Sequence, residues 1–430
     1  MTSKQAAADT SSWAGSTKPE FLKLVPHRLW LLGQAGDLFG FFQYTSINPR
    51  GGFYDLDTVG RPLAETQGHE DVRQLHVTTR MVHCFAIAHL LGRPGADRLI
   101  DQGMDFLWKG HRDSDNGGYV WGISEDGISN STKQAYGHAF VLLAGASAKV
   151  VGHPDADRLL EDVSTVLDDR FWDDGVGATT EEYAQDWAPI SDYRGQNSNM
   201  HLTEALMAAY EATGDGEYLN RAGRIADLII NRNARAVDWR VAEHFDANWN
   251  VDLHYAGDPV FRPSGTTPGH ALEWSRLLIQ LWELEGRKSD WMPEAARNLF
   301  HNACVQGWDP QTGGFYYTLD WNNAPDQSDR FWWPCCEGIA AAAVLGQVFP
   351  DEGFETWYRR IWSFTDTHLI DRKNGGWFPA LDDNLLPTER VFVGKPDIYH
   401  AVQACLIPLC PTSGSITRGL AQAGDGLVTG

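Results

Sequence analysis

The sequence predicts an all-α protein, an (α/α)6 barrel of alternating inner and outer helices with short β-hairpins at one mouth. Two observations lead to this prediction. Similar loops recur along the chain at intervals of about 65 residues or a multiple of that length. Between the loops, segments that are apolar throughout alternate with amphipathic ones, as expected when one helix of each pair is enclosed and the other faces water.

The repeated loop consists of two glycines followed by an aromatic residue. Its clear copies start at Gly51, Gly117, Gly313 and Gly375. Less similar stretches at Trp172 and Glu243 fill the missing places, so the unit fits about six times into the chain. We expect these loops to be the hairpins of the mouth.

The helices follow the same period. The predicted inner helices are Val72–Leu91, Lys133–Val151, Asn197–Thr213, Gly269–Leu284, Arg330–Val348 and Pro396–Pro408. The predicted outer helices are Phe21–Phe42, Gly95–Lys109, Asp155–Phe171, Glu217–Ala234, Pro293–Gln306 and Gly353–Ile370. No composition shift or long linker interrupts the series. We therefore predict a single catalytic domain over residues 16–411, with a loose arm at 1–15 and a tail with little core of its own at 412–430.

Composition restricts the partners. Lys and Arg number 35 against 57 Asp and Glu, a formal charge of −22, which argues against binding nucleic acid or an anionic membrane surface. The six cysteines show no zinc-binding spacing, and the chain starts without the apolar core of a signal peptide. These features favour a cytoplasmic protein with reduced thiols, no metal and a small neutral substrate.

Polar residues at the starts of the inner helices converge on one cavity in such a barrel, so they are the candidates for chemistry. They are Arg80, Tyr136, Asn197, His201, His270, Glu273, Trp333, Glu337 and His400. Each has a purely structural alternative: a histidine can cap a helix, an arginine can neutralise a buried carboxylate, and an aromatic residue can be core. Three histidines on three separate inner helices nevertheless favour a catalytic interpretation.

Their chemistry suits proton transfer at carbon. A neutral imidazole exchanges protons near neutral pH, so His270 and His400 could serve as acid and base beside a small polyol. Removing a proton next to a carbonyl builds negative charge on oxygen, which the guanidinium of Arg80 would stabilise. Glu273 lies three residues after His270 on the same helical face, and we expect it to orient that imidazole.

Six stretches together resemble the N-acylglucosamine 2-epimerase superfamily over roughly residues 20 to 410. They are Thr79-Arg80-Met81, Ser131–His138, Asn197–His201, Glu243–Trp249, Pro268–Trp274 and Asp397–His400. Within the superfamily the chain is most similar to the aldose–ketose isomerase branch. The resemblance implies an (α/α)6 barrel, a monomer or homodimer without cofactor, and metal-free proton transfer through a cis-enediol.

The resemblance also implies roles for single residues. It matches His400 to the general base, His270 with Glu273 to the ring-opening and proton-shuttling pair, and Arg80 to the oxygen-polarising arginine. The sugar-binding shell would be Tyr136, Asn197, His201, Trp333 and Glu337.

One departure from the family pattern bears on the substrate. Relatives that handle sulfosugars carry glutamines where this chain has Pro379 and Pro396, and a proline side chain offers no hydrogen-bond donor. We therefore expect an unsubstituted hexose, with D-mannose to D-fructose as first choice and D-lyxose to D-xylulose as a further pair.

Other functions stay open at this point. A sulfoquinovose isomerase or a sugar 2-epimerase of the same superfamily is the nearest alternative. An inverting glycoside hydrolase on the same barrel would need two carboxylates about 6.5–9.5 Å apart, and Asp57, Asp320 and Glu337 are candidates for them. A non-catalytic sugar-binding protein is the third possibility.

Overall fold

The computed structural model describes residues 20–429 apart from Gln67, Ala256, Pro259, Phe261, Asp351, Pro396, Asp397 and Asp425. The expected arm at 1–15 and the start of the sixth predicted inner helix therefore lie outside the described residues. Short 3-10 turns occur at Phe21–Lys23, Leu63–Glu65 and Ile407–Leu409. In the described part of the chain, no helix is both long enough and apolar enough to cross a membrane.

The two sets of helices confirm the predicted barrel. The inner helices are α2 (Leu75–Leu90), α4 (Ala135–Val150), α6 (Gln196–Thr213), α8 (Pro268–Leu284), α10 (Trp332–Val348) and α12 (Tyr399–Leu406). The outer helices are α1 (Val25–Gln43), α3 (Ala96–Phe106), α5 (Ala156–Val166), α7 (Gly216–Ala226), α9 (Trp291–Gly307) and α11 (Phe354–Phe364). Each inner helix packs on the next, and α12 packs on α2, so the inner ring is closed.

Burial explains the two sequence patterns. Every residue of α2 from Leu75 to Ala88 is buried, and the same holds for α4 from Ala135 to Ala148. These helices are enclosed on all sides, so most of their residues are apolar or small, and polar ones such as Arg80 and His83 have buried hydrogen-bond partners. In α5, by contrast, the buried side chains are Ala156, Leu159, Leu160 and Val163, which form one stripe. Four outer helices continue into a π-helical turn, at Leu107–His111, Leu167–Phe171, Asp227–Ala234 and Thr365–Leu369.

Short antiparallel strands surround the mouth. They are β1 (Arg73–Gln74), β2 (Gly122–Ser124), β3 (Gly127–Asn130), β4 (Lys133–Gln134), β5 (Trp172–Asp173), β6 (Ala178–Thr179), β7 (Glu182–Tyr183), β8 (Arg194–Gly195), β9 (His244–Phe245), β10 (Arg330–Phe331) and β11 (Ala380–Leu381). The sheets are β1-β2-β3, β4-β7, β5-β6, β8-β9 and β10-β11. Their strands are so short because each one only links two neighbouring loops.

Antiparallel pairs join each inner-helix entrance to a loop of the neighbouring unit. The partners are Arg73 and Ile123, Lys133 and Tyr183, Arg194 and Phe245, Thr266 and Leu319, Arg330 and Leu381, and finally Lys395 and Leu56. The last pair connects the end of the barrel to its beginning. The mouth is therefore a closed ring, which fixes where each inner helix starts.

The Gly-Gly-aromatic loops are one-bridge hairpins within this ring, as the sequence predicts. In each, the aromatic residue pairs with a residue one to four positions after the end of the outer helix or of its π-helical turn. The pairs are Ile47 and Phe53, Arg112 and Tyr119, Trp308 and Phe315, and Ile370 and Trp377. Both glycines of every pair have positive φ, for example 84° at Gly313 and 79° at Gly314. Residues other than glycine rarely adopt this backbone conformation.

The C-terminal segment differs from the expectation that it has little core of its own. Helix α13 (Ile416–Ala423) packs against α2, α4 and α6, with Ile416 and Leu420 buried. Arg28 donates to the carbonyls of the last helix, α14 (Gly426–Thr429), at Gly426 (2.8 Å) and Leu427 (3.0 Å). The segment therefore contributes buried contacts to the barrel.

Candidate active site

A narrow cavity opens where the inner helices begin, and it collects nearly all of the residues that the sequence singles out. Its lining comprises Arg80, Tyr136, Asn197, His201, Val260, His270, Glu273, Tyr317, Trp332, Trp333, Phe392 and His400. Each of the six inner helices contributes at least one side chain. Of the predicted site residues, only Glu337 is not part of this lining.

His270, in the first turn of α8, is held by a glutamate from another loop. Its Nδ1 lies 2.9 Å from both carboxylate oxygens of Glu243. Gln196 donates to Glu243 (2.7 Å) and in turn accepts from the indole of Trp274 (2.8 Å). Since a carboxylate only accepts, this contact favours the tautomer of His270 with the proton on Nδ1 and the lone pair on Nε2.

The expectation that Glu273 orients His270 is therefore wrong. Helical spacing places the two side chains on one face, but the first-turn imidazole turns toward the neighbouring mouth loop, where Glu243 lies buried. Burial raises the pKa of Glu243, but the neighbouring His270 lowers it overall, below its usual range, so the carboxylate is ionised. The signal in the sequence was weak: Glu243 heads one of the less similar copies of the repeated loop.

His400, in the first turn of α12, has an equivalent partner. Its Nδ1 lies 2.8 Å from Oε1 of Glu337. The other oxygen, Oε2, accepts from Arg276 Nη2 (3.0 Å) and Nε (3.2 Å). Burial raises the pKa of Glu337, but Arg276 and His400 lower it overall. Glu337 is fully buried behind His400, which corrects its expected place in the sugar-binding shell to that of an orienting residue.

Glu273 faces a different neighbour. Its Oε1 lies 3.6 Å from His201 Nδ1 and 3.6 Å from Arg276 Nη2. Burial, reinforced by the charge of Glu337, raises the pKa of Glu273 well above its usual value. Burial and the nearby Arg80 lower that of His201. The raised pKa of Glu273 favours its protonated form and the lowered pKa of His201 favours its neutral form, so Glu273 is suited to donate a hydrogen bond into the cavity.

Aromatic rings complete the cavity. Trp333 lies next to both catalytic candidates. The centroid of its ring is 5.0 Å from that of the His270 ring and 5.7 Å from that of the His400 ring. On the opposite side, Arg80 Nη2 donates to the Tyr136 hydroxyl (2.9 Å). Such an arrangement offers an apolar face for the C–H groups of a sugar and charged or polar groups for its hydroxyls.

The floor of the cavity is a buried ionic cluster that the sequence did not reveal as such. Arg276, 1% exposed, pairs with Glu337 and also approaches Glu204 Oε1 at 3.4 Å. Two sets of side chains, His201 with Glu204 and Glu273, and Glu273 with Glu337 and His400, place possible metal-ligand atoms within 4.8 Å of one another. The guanidinium of Arg276 already supplies positive charge to these carboxylates.

Two of the three carboxylates nominated for glycoside hydrolysis, Asp57 and Asp320, do not line the cavity. Asp57 accepts from the backbone of Val59 and Arg61 (2.9 Å each). Asp320 likewise accepts from the backbone of Asn322 and Ala324 (2.8 Å each). Both carboxylates therefore stabilise turns of the mouth hairpins and do not form a pair across the cavity.

The tryptophans near the mouth and the two prolines differ in their position relative to the cavity. Of the tryptophans near the repeated loops, Trp332 and Trp333 line the cavity, whereas Trp121, Trp249, Trp321 and Trp377 do not. The backbone carbonyl of Pro379 accepts from the backbone N–H of Trp332, which lines the cavity (3.2 Å). Pro396 lies outside the described residues.

Comparison with known proteins gives a consistent result. The model of the family N-acylglucosamine 2-epimerase (GlcNAc 2-epimerase) matches residues 51–404. The chain is 42% identical to the D-mannose isomerase of Pseudomonas cannabina pv. alisalensis, covering 94% of this chain and 98% of the relative. It is 41% identical to the D-mannose isomerase of Thermobifida fusca, covering 93% and 98%. A crystal structure of D-mannose isomerase superimposes with a TM-score of 0.84 at 31% identity, covering 91% of this chain and 99% of that one.

Proposed function

Because the chain belongs to the N-acylglucosamine 2-epimerase family, we propose that it is an aldose–ketose isomerase that interconverts D-mannose and D-fructose. The observation that carries this proposal is the pair His270 and His400. Each has Nδ1 held by its own buried glutamate, and both rings border Trp333 at the cavity. The similar D-mannose isomerases support the choice of sugar.

The proposed reaction moves one proton between adjacent carbons. With the ring of the sugar opened, Nε2 of His400 removes the proton from C2 of the aldose, and the electrons form the C1–C2 double bond of a cis-enediol. The imidazolium, whose Nε2 proton exchanges with solvent, then delivers a proton to C1. His270 exchanges protons with the sugar oxygens, first in ring opening and then between O1 and O2. Each positioned acid or base contributes roughly 10²- to 10⁴-fold to the rate.

The surrounding charges suit this sequence of steps. Negative charge that develops on the carbonyl oxygen is stabilised by Arg80, which is buried beside Tyr136. When either histidine is protonated, the ionised Glu243 or Glu337 stabilises the imidazolium. Glu273, as a neutral acid, donates to a sugar oxygen. These residues provide proton transfer and charge stabilisation, so we propose that the reaction needs no metal ion.

One wall of the cavity is apolar, which makes a charged substituent on the sugar unfavourable there. Val260, Trp332 and Phe392 border the cavity, and Pro379 supports Trp332 through its carbonyl. An anionic group would lose its hydration there without gaining a donor, which is unfavourable. We therefore place an unsubstituted hexose ahead of sulfoquinovose. We further expect a cytoplasmic monomer or homodimer that does not bind nucleic acid.

The test is incubation of the protein with D-mannose in heavy water, with and without EDTA. We expect D-fructose to appear, deuterium to enter at C1 or C2, and EDTA to leave the rate unchanged. D-Glucose in the same reaction would indicate 2-epimerisation. Absence of any ketose from D-mannose, D-lyxose or sulfoquinovose would refute the isomerase proposal, and new reducing ends from an oligosaccharide would favour a glycoside hydrolase.

A further inference from the structure

An ion pair connects the segment before α8 to the neighbouring unit of the mouth. Arg262 donates through Nη1 and Nη2 to the two carboxylate oxygens of Glu182, at 3.2 and 2.8 Å. Its guanidinium also lies over the ring of Tyr193, 4.4 Å from the centroid. A planar fork that is both bidentate and stacked is specific to arginine, because a lysine cannot reproduce either contact fully.

This ion pair is close to the wall of the sugar cavity. Val260, which lines the cavity, donates its backbone N–H to Oδ1 of Asp258 (2.8 Å), and the N–H of Arg262 donates to the carbonyl of the same aspartate (2.9 Å). The carbonyl of Val260 accepts from the hydroxyl of Tyr317, another lining residue. A shift of the Arg262 backbone would therefore move Val260.

The partner of Arg262 is linked to two further walls. Glu182 pairs in the β4–β7 ladder with Gln134, which directly precedes α4 and its Tyr136. The adjacent Glu181 accepts at its carbonyl from the first residue of α4 (2.8 Å) and at its side chain from Ser198 of α6 (2.7 Å). Ser198 is next to Asn197 of the cavity. Glu181 and Glu182 thus connect the entrances of three consecutive inner helices.

We propose that the Arg262–Glu182 ion pair is a positioning element for the sugar: it sets the spacing between the wall of Val260 and the walls that carry Tyr136 and Asn197. This inference rests on the proposed isomerase function. Arg262 acts through these walls and not on the reacting atoms, so its loss should weaken substrate binding more than it slows the chemical steps.

A second set of contacts, the hydrogen bonds of His244, should preserve the fold when the ion pair is removed. His244 donates through Nε2 to the carbonyl of Pro263 (2.6 Å), and its Nδ1 accepts from the hydroxyl of Tyr193 (2.8 Å). The strand pair of Thr266 with Leu319 then leads into α8 and His270. Replacing Arg262 should therefore displace Val260 and leave His270 in place.

The experiment measures kcat and KM for D-mannose with the wild-type protein, Arg262→Gln, Glu182→Gln, their double variant and Arg262→Lys. We expect KM to rise on the order of tenfold in each single glutamine variant, with kcat within about twofold of wild type. The double variant should bind D-mannose about as weakly as Arg262→Gln, because Glu182→Gln removes an ion pair that Arg262→Gln has already removed. Arg262→Lys, which keeps the charge, should lie between wild type and Arg262→Gln.

Arg235→Gln is the matched control. Arg235 also pairs with a glutamate, Glu294, at 2.8 Å and lies over the ring of Trp239 at 5.3 Å, but on the outer helices. Its KM should equal that of wild type. Unchanged KM in Arg262→Gln and Glu182→Gln, or a fall in kcat at constant KM, would overturn the positioning role. A wild-type protein that forms no ketose would instead refute the isomerase function on which the inference depends.

Discussion

At the level of single residues, the two histidines proposed as catalytic have similar partners, but these partners lie in different surroundings. Glu243, the partner of His270, accepts from the side-chain amide of Gln196 and contacts the imidazole of His270. Glu337, the partner of His400, shares its charge with the buried Arg276. The first dyad can therefore be altered without disturbing the ionic cluster of the floor, whereas the second cannot.

Removing either imidazole should abolish turnover without unfolding the protein. We expect kcat of His270→Ala and His400→Ala to fall on the order of 10²- to 10⁴-fold, because each takes away one positioned acid or base. Thermal unfolding should stay cooperative, since both side chains border a cavity. Steady-state kinetics with D-mannose and circular dichroism measure the two effects. Near-normal turnover in either variant would contradict the assigned roles.

Neutralising the orienting glutamates separates the two dyads. In Glu243→Gln we expect kcat to fall at least about tenfold, since the imidazolium of His270 loses its stabilising charge, while the melting temperature stays close to wild type. In Glu337→Gln both should fall, because Arg276 also loses a partner. Kinetics and calorimetry on the two variants check this contrast. Equal losses of stability would show that Glu243 is also part of an ionic cluster.

At the level of elements, each inner helix is placed by the short strand or bridge that precedes it. The mouth loops carry the charges that hold these entrances, and several of those charges are buried. Glu181 and Glu182 are adjacent but respond oppositely to their surroundings. Burial raises the pKa of Glu181 to about 7, whereas Glu182, although burial also acts on it, has its pKa lowered by the hydrogen bond from Arg262.

The raised pKa of Glu181 predicts that the free energy of unfolding falls as the pH rises. Its pKa in the folded protein lies above that of an unfolded glutamate, so the folded state binds the proton more tightly, and this stabilisation is lost as the pH rises through about 7. At pH 8 the ionised carboxylate costs roughly 3 kcal/mol. Glu181→Gln should therefore unfold at higher urea concentration than wild type at pH 8 and at a similar concentration at pH 5.

Glu182→Gln is the control for this prediction. Its pKa is lowered in the folded protein, so the ionised form is the stabilising one and the variant should be less stable than wild type at pH 8. A difference between Glu181→Gln and wild type that did not change with pH would show that the side-chain charge of Glu181 has no part in it.

At the level of the whole molecule, ring closure depends on the pairing of Lys395 with Leu56, which joins the last unit to the first. The side chain of Lys395 is 2% exposed, and its ammonium lies 2.8 Å from Asp371 Oδ2 and donates to the carbonyl of Thr58 (2.9 Å). Asp371 in turn forms the turn of the last Gly-Gly loop. One buried ion pair thus connects the two ends of the barrel.

Breaking this pair should destabilise the barrel strongly. We expect Lys395→Met to lower the free energy of unfolding by about 3–5 kcal/mol, because Asp371 is left charged and buried. Adding Asp371→Asn should recover part of the loss. Arg287→Met, which removes an ion pair with Glu283 at the surface, should lower the free energy of unfolding much less. Urea unfolding compares them, and equal losses in the buried and exposed pairs would contradict the argument.

The sequence by itself determined the barrel and most of the cavity. A regular repeat and the contrast between enclosed and amphipathic segments predict twelve helices in the right order, because burial on all sides favours apolar or small residues along most of a helix. Inner-helix starts then identify His270 and His400. The tertiary structure decided their partners: Glu243 and Glu337 reach the imidazoles from other units of the chain. Spacing along one helix had indicated Glu273 for His270, but a hydrogen bond depends on side-chain direction and on the loop facing it, and only the folded ring of the mouth brings Glu243 there.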